Sequence, residues 1–566
     1  MCGILVSIQD TAVCNETYIY NIVKTATKTI AHRGPDSSNY KVVSCGEKTI
    51  IMVHTRLHIV GNSSPQPIID DDIILIINGE IFNWKELSKE LDYPCKQSDC
   101  EIIIGLYKRY IRENSDFKTF YKKINGQFSF VLYDKGLDKL FVSRDHIGIT
   151  PMYYGCTEDK ILFCSEMKGL TSFIENIKIF NPRTYIYSEL DTIFDDIKLP
   201  NQEYLNYSDL EVDETQNIDE IHKNIKSKLI KSTHIQLEDL IETGVEFGVL
   251  LSGGLDSSLV ASIISKKMKE TGKRVKTFSI GMTKNSTDLI ASRKVATFLN
   301  SEHYEFFFTV EEGLESIRDT IWYVESYDTT TVRASTAMYL LTKKIKEKFP
   351  NLKVLFSGEL SDEMLCYLYG SNAPNEEEFK KETVRLVSDV HLFDCLRANK
   401  SCMGNGIEAR VPFTDPNFVE YILKIPTKFK IFGKLNNYQT VEKQLLRDSF
   451  NDSKGEKYLP FSILYRTKEA FSDGVSSHTE SKENWIDSLS EFCETKYSDL
   501  DYVDSVKSHI YNKPQTKEQL YYRELFCELF CKNSNTSEHT VKFWTSKWCG
   551  DKSDPSARKH IKEAFQ

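Results

Sequence analysis

The sequence contains no Cys-x-x-Cys pair; the nearest spacings among its 14 cysteines are Cys95/Cys100 and Cys527/Cys531. Spread over 566 residues, they form neither a dense disulfide scaffold nor a zinc-ligand pattern. They read as reduced, mostly buried thiols of a cytoplasmic protein. No apolar run approaches the roughly 18–20 residues of a membrane span, so no membrane partner is expected. The opening MCGILVSIQD lacks a basic leader and turns polar at once, unlike a secretory signal. Positive charge is in deficit: 72 Lys and Arg against 82 Asp and Glu give −10, which argues against nucleic acid as a general partner. What remains is a globular composition, 40% hydrophobic and 27% charged, in a chain too long for one core. Two to four domains are expected.

The most informative stretch is Leu250–Ser258, LLSGGLDSS. It follows a strand-like run, 245–251, and precedes a helical run in which Leu259, Ile263, Ile264 and Met268 share a face. Gly253 and Gly254 let backbone N–H groups approach a phosphate, and the helix start adds its positive dipole end. Ser252, Ser257 and Ser258 supply hydroxyl donors, and Asp256 is a carboxylate of the kind that holds Mg²⁺ beside phosphates. A Gly-rich turn in a structural βα unit is the plain alternative. The loop lacks the GK[ST] ending of a Walker motif. It resembles the pyrophosphate loop of the ATP-pyrophosphatase family.

The second informative place is the start. Removal of Met1 would leave Cys2 with its thiol beside a free α-amine, a group able to serve as base for its own side chain. A strand is expected at 4–8, a helix at 18–30, a Gly-Pro turn in Arg33-Gly34-Pro35-Asp36, and an alternating strand at 53–59 that would point His54, Arg56 and His58 to one face. The buried run 73–77 leads into Asn78-Gly79-Glu80. There the Gly79 N–H and the Asn78 amide suit an oxyanion hole, with an ordinary Asn-Gly turn as the alternative. Ser98 reads as a helix cap; Asp99 either belongs to that turn or holds a substrate amine. A hairpin is expected at 127–134 and 139–144, then short strands at 152–155 and 161–165.

Residues 196–222 are polar and acidic and read as a connection between a first domain, 2–195, and a second, 223–566. Beyond the 252–258 loop the chain alternates strand and helix: strands at 275–280, 303–308 and 353–356, helices at 288–298 and 314–324. Ligands of such parallel sheets bind at the carboxyl ends of the strands. Ser357-Gly-Glu-Leu-Ser-Asp-Glu363 lies at such an end. Asp362 is a second candidate Mg²⁺ carboxylate, Glu359 a site acid, and Ser361 a helix cap with Glu363 beside it.

MCGI, RGPD, NGEIFN and SDCE together resemble the class II glutamine amidotransferase domain. TFSIG, TTTVRAST, SGELSDE, DCLRANK, GIEARVPF, RTKEAFSDGV and DPSAR extend the resemblance, over essentially the whole length, to the glutamine-hydrolysing asparagine synthetase family. The resemblance implies an N-terminal-nucleophile αββα sandwich followed by an α/β parallel-sheet ATP-pyrophosphatase domain with helical additions. It implies that Cys2 attacks the glutamine carboxamide, that Asn78 and Gly79 form the oxyanion hole, and that Arg56, Glu80 and Asp99 hold the rest of glutamine. It assigns ATP to Leu251, Ser252, Gly253, Gly254, Asp256, Ser257, Ile280, Gly281, Asp288, Ser357 and Gly358, and Mg²⁺ to Asp256 and Asp362. Glu359 and Lys468 would act at the reaction centre, and Arg333, Asp394 and Arg397 around aspartate and ammonia. The implied reaction is synthesis of asparagine from aspartate, glutamine and MgATP through β-aspartyl-AMP; a homodimer is compatible with it. The chain departs from the family pattern at Leu360, where Gly is usual, and at Met364–Tyr369, where a Gly-Gly pair is usual. A Leu there matters if the backbone has positive φ. A glutaminase with a weak or regulatory synthetase-like domain therefore stays open as the alternative.

Overall fold

The computed structural model describes the chain except residues 62–65, 97, 200, 367, 433–440, 452–454, 456, 478–483, 532–538 and 550–566. The DPSAR motif at 554–558 and Tyr367 lie outside the described residues. Two compact units divide the chain: Met1–Asn206 with Cys527–Thr540, and Tyr207–Phe526 with the remainder from Val541.

In the first unit the strands are β1 (Gly3–Asp10), β2 (Ser37–Cys45), β3 (Lys48–Arg56), β4 (Ile68–Asp70), β5 (Ile73–Ile81), β6 (Gly126–Asp134), β7 (Lys139–Arg144), β8 (Tyr153–Cys156), β9 (Lys160–Cys164), β10 (Lys178–Ile179), β11 (Thr184–Glu189) and β12 (Gln202–Glu203). They form two six-stranded antiparallel sheets, ordered β10-β8-β9-β1-β3-β2 and β12-β11-β7-β6-β5-β4. The period of two in a strand explains the layering. Ile4, Val6 and Ile8 of β1 meet Ile74 and Ile76 of β5 in the core shared by the two sheets. Ile73, Leu75 and Ile77 face the opposite way, against Ile102, Ile103 and Phe120 of the covering helices. The run Ile-Ile-Leu-Ile-Ile is continuous because both its faces are buried. The helix Glu16–Thr29 covers the other sheet through Ile22 and Ala26, giving the αββα layers.

The second unit is built on β13 (Phe247–Leu250), β14 (Lys276–Gly281), β15 (Glu302–Phe307), β16 (Val354–Phe356) and β17 (Glu408–Arg410). All pairings are parallel, in the order β15-β14-β13-β16-β17. The chain adds β14 and β15 on one side of β13, then crosses to add β16 and β17 on the other. The reversal opens a crevice at the carboxyl ends of β13 and β16, the usual ligand position in such sheets. The helices Leu255–Glu270, Thr287–Leu299 and Val310–Val324 follow as the alternation predicts, and a further helix, Thr329–Lys348, precedes β16. Residues 196–222 hold β12, a tight turn at Tyr207–Asp209 and the start of the helix Ile218–Thr243.

Candidate functional site

The chemistry-bearing residues fall into two places, one in each unit. In the first, Cys2 lies immediately before β1 and is buried. Its backbone N–H donates to Asn78 Oδ1 at 2.8 Å. Its carbonyl accepts from Arg33 Nε at 3.0 Å, and Arg33 Nη1 donates to Glu166 Oε1 at 2.8 Å. This gives the RGPD segment a physical reason. Arg33 is fully buried under the cysteine, and a Cβ on Gly34 would fall 2.1 Å from the Thr55 carbonyl carbon, so the turn packs backbone to backbone against β3 just before Arg56. Burial pushes the Cys2 thiol up, opposed first by the chain's terminal ammonium. An amine able to take the thiol proton therefore matters more here than at an exposed cysteine.

Asn78 and Gly79 do not form a turn; β5 runs straight through them, opposite Ser129 and Phe128 of β6. The Ile77 N–H donates to Gln66 Oε1 at 2.9 Å and the Ile81 N–H to Asp99 Oδ2 at 2.7 Å. Both therefore point away from β6, and by alternation so does the Gly79 N–H between them. On that edge β4 pairs only with residues 73–75, which leaves the Gly79 N–H facing outward from the sheet, one residue from the contact with Cys2. Asn78 Nδ2 lies 3.4 Å from Ser165 Oγ. Arg56 and Glu80 are buried, and Glu80 Oε1 lies 3.9 Å from the Met1 ammonium. Asp99 is also buried, with its carboxylate accepting from the Ile81 N–H and, at 2.9 Å, the Ser98 hydroxyl. Ser98 caps the turn at Asp99–Glu101 as expected.

One expectation is corrected. β3 ends at Arg56, so His58 lies beyond the strand and bonds the Gly61 carbonyl at 2.9 Å instead of sharing a face with His54. His54 is buried, and burial followed by the charge of Arg56 pushes its imidazole down to about 3.

In the second unit a cavity of about 200 Å³ opens at the strand ends. It is lined by Leu251, Ser252, Gly254, Asp256, Ser257, Ile280, Asp288, Ser357, Gly358, Glu359 and Asp362, and also by Arg333, Asp394, Arg397 and Lys468. Gly253 and Gly281 lie outside the lining. Gly253 has φ +77 and a Cβ there would meet Ala291 Cβ at 2.5 Å, so it turns the chain and admits the neighbouring helix. The Gly254 N–H donates to Ser252 Oγ at 3.3 Å, and Ser252 Oγ lies 3.1 Å from Ser257 Oγ, which gathers three donors at the start of the helix Leu255–Glu270. Donors gathered at a helix start are what a phosphate cradle requires.

A charge cluster that includes Asp256 adjoins these donors. Lys468 Nζ is 2.8 Å from Asp362 Oδ2. Lys443 Nζ is 2.6 Å from Asp256 Oδ2 and 2.9 Å from Asp362 Oδ1. Burial raises the Asp362 carboxyl, but Lys443 and then Lys468 more than reverse this and hold it well below the usual carboxylate range. Asp256 Oδ1 is buried with no hydrogen-bond partner. A dedicated three-residue metal cage is absent among the described residues. Two carboxylates, one with an unused oxygen, beside these donors could nevertheless hold Mg²⁺, which takes its other ligands from phosphates and water.

Ser361 is not the helix cap. The capping position is Leu360, with φ +79 and no side-chain cap, and the Ser361 hydroxyl instead receives Lys443 Nζ at 3.2 Å. Glu359 Oε2 accepts from Arg397 Nη2 at 2.9 Å, and Arg397 also pairs with Asp394 at 2.5 Å. Burial lifts the Glu359 carboxyl despite Arg397, and lifts Glu363 well up with the help of Asp394 and Asp362. Arg333 lines the cavity, but its Nε and Nη2 are held by Glu518 at 2.7 and 2.6 Å. Asp288 is raised to about 7 by burial, against the pull of Arg466 at 3.1 Å.

Sequence reasoning missed Lys443, Arg466, Glu469 and Trp544, which also line the cavity, and Glu518, which holds Arg333. Arg466 and Glu469 flank Lys468 in one motif, which was a usable signal. Lys443, Glu518 and Trp544 carried none. Glu442 ties two of the cations together: its Oε1 accepts the Lys468 N–H at 3.0 Å, and Arg447 locks it from the other side.

Residues 1–216 match the family model of the glutamine amidotransferase domain, and residues 225–371 and 366–549 match that of asparagine synthase. The probable asparagine synthetase [glutamine-hydrolyzing] of Schizosaccharomyces pombe is 38% identical over 571 residues, covering 94% of each chain. The asparagine synthetase [glutamine-hydrolyzing] of Zea mays is 37% identical over 589 residues, 99% of this chain and 93% of that one. The enzyme of the same name from Gallus gallus is 36% identical over 560 residues, 95% and 96% respectively. Two family models matched in order, with relatives alike over nearly their full length, establish that this chain belongs to the glutamine-hydrolysing asparagine synthetase family.

Proposed function

We propose that this protein makes asparagine from aspartate and ATP with nitrogen taken from glutamine. The observation that carries the reading is the presence in one chain of a buried cysteine bonded to Asn78 and a nucleotide-type cavity furnished with Asp256, Asp362 and Lys468.

In the glutaminase half, loss of Met1 turns the Cys2 nitrogen into a free amine. That amine takes the thiol proton as sulfur attacks the glutamine carboxamide carbon. Negative charge then grows on the carboxamide oxygen, where the outward Gly79 N–H and the Asn78 amide stabilise it. The proton passes to the leaving nitrogen, ammonia departs, and water cleaves the thioester to glutamate. Arg56 is the cation for the glutamine carboxylate. Glu80 already faces one ammonium, that of Met1, and suits the α-amino group of glutamine.

In the synthetase half, ATP lies on the Ser252–Ser257 cradle with its base toward Ile280 and Gly281. Asp256 and Asp362 would hold Mg²⁺, which when bound offsets the charge of the phosphates. The aspartate β-carboxylate attacks the α-phosphorus and pyrophosphate leaves. Two anions approach each other in that step, so Lys468 acts by neutralising the growing charge. Ammonia then attacks the acyl carbon, AMP leaves, and Glu359, whose carboxyl burial holds up, accepts a proton. Cysteines this sparsely spaced suit a reducing, cytoplasmic compartment.

Cys2→Ala tests the division of labour. Glutamine-dependent synthesis should vanish, while ammonium chloride with aspartate and MgATP should still yield pyrophosphate and asparagine in equal amounts. Equal loss of both activities would refute the two-site reading. Absence of pyrophosphate from wild-type protein that still hydrolyses glutamine would favour the glutaminase alternative.

A further inference from the structure

Lys443 is a cavity residue for which the reaction above has no task. Its ammonium lies 2.6 Å from Asp256 Oδ2, 2.9 Å from Asp362 Oδ1 and 3.2 Å from Ser361 Oγ. Three oxygens from the first turns of the helices after β13 and β16 thus converge on one cation. The side chain is 1% exposed, so the ammonium is shielded from bulk solvent. Asp256 Oδ1, in the same group, is buried and has no hydrogen-bond partner. The Lys443 backbone sits at φ +53, in the left-handed region that side-chain-bearing residues avoid. It is held there by the Glu442–Arg447 frame, whose arginine also donates to the Leu464 carbonyl at 2.6 Å. A strained backbone locked by its surroundings marks a position that matters.

We infer that Lys443 is an internal counter-cation, filling the cation position between Asp256 and Asp362 while nucleotide is absent and yielding it to the divalent ion that arrives with ATP. This rests on the reading of those two aspartates as the Mg²⁺ carboxylates. Two buried carboxylates this close repel each other unless a cation lies between them. With Lys443 present the pair survives without metal, and a divalent ion alone has to displace a tethered ammonium to enter. With ATP bound, the phosphates offer the ammonium a second anion, so the exchange becomes favourable. The device enforces entry of metal and nucleotide together.

Mn²⁺ titration of the full chain, followed by electron paramagnetic resonance with and without ATP, tests this. Wild type should show its tight Mn²⁺ site only with ATP. Lys443→Met and Lys443→Gln should bind Mn²⁺ without ATP at least tenfold more tightly than wild type, and Mn²⁺ alone should raise their melting temperature but not that of wild type. If either variant is unstable as made, recovery of its folding by Mn²⁺ is the same prediction, and failure of Mn²⁺ to recover it counts against the inference. Nucleotide-free Mn²⁺ binding no tighter in the variants than in wild type would overturn it while leaving the metal site intact. Absence of Mn²⁺ binding to wild type even with ATP would overturn the metal reading and this inference with it.

Discussion

At Leu360 two opposing effects meet in one residue. Its φ of +79 costs a side-chain-bearing residue about 1–2 kcal/mol. Its side chain is 1% exposed, and burying a leucine contributes about 1.5–3 kcal/mol, with a further cost for any cavity left by its removal. Burial exceeds strain, which explains how a leucine holds a place where the family usually has glycine. Leu360→Gly should therefore lower stability to urea by about 1–3 kcal/mol in spite of relieving the backbone. A more stable variant would show that strain dominates. The departure at this position was visible in the sequence only by the resemblance, because the family pattern has glycine where this chain has Leu360. Lys443 was not visible: it lies 187 residues from Asp256, and nothing local distinguishes it from a solvated lysine.

At the scale of elements, the framework that carries the candidate site was legible because periodicity and Gly-rich turns are local signals, whereas the individual site residues came from the resemblance. The strand preceding the phosphate loop, the helix Leu255–Glu270 and the parallel strands β14 to β16 all lie where alternation placed them. The departures were tertiary in origin. β5 continues through Asn78 and Gly79 because β6 pairs with it up to Ile81, and no local rule overrides that ladder. β3 stops at Arg56 and so separates two histidines that alternation alone puts on one face. His54, left inside β3, has a consequence for acid stability. Its folded pKa of about 3 lies below the unfolded value near 6.5, so its contribution is fully present above that value and is lost as pH falls toward 3. From pH 7.5 to 4.5 the loss amounts to about 3 kcal/mol. His54→Gln should shrink the acid-induced drop in the urea midpoint by an amount of this order while keeping glutamine hydrolysis. An identical drop in both proteins would place the acid sensitivity elsewhere.

At the scale of the molecule, the synthetase cavity is assembled from segments far apart in the chain: the 252–258 loop, the helix from Thr329, the 357–363 loop, Asp394 and Arg397, and the late residues from Lys443 onward. The early segments carry motifs that identify themselves. The late ones act through distant partners, and Glu518 shows the point. It sits 185 residues from Arg333 and grips that cavity-lining guanidinium with both carboxylate oxygens, while the Tyr522 hydroxyl donates to one of them at 3.0 Å. Both side chains of the pair are almost fully buried, at 7% and 5% exposure. Removing one partner of such a pair costs about 3–5 kcal/mol, because the other is left charged without compensation. Glu518→Ala should therefore melt earlier and lose ammonia-dependent synthesis by more than tenfold, since Arg333 no longer has a fixed direction into the cavity. Glu518→Gln, which keeps the shape and one acceptor, should fall between wild type and Ala. The Cys2 chemistry belongs to the other unit, so glutamine hydrolysis should survive within about twofold at temperatures below the melting transition, where more than about 99% of the chains stay folded for a margin near 3 kcal/mol. Loss of both activities in parallel at such temperatures would mean that Glu518 supports the whole fold and has no particular role in aiming Arg333.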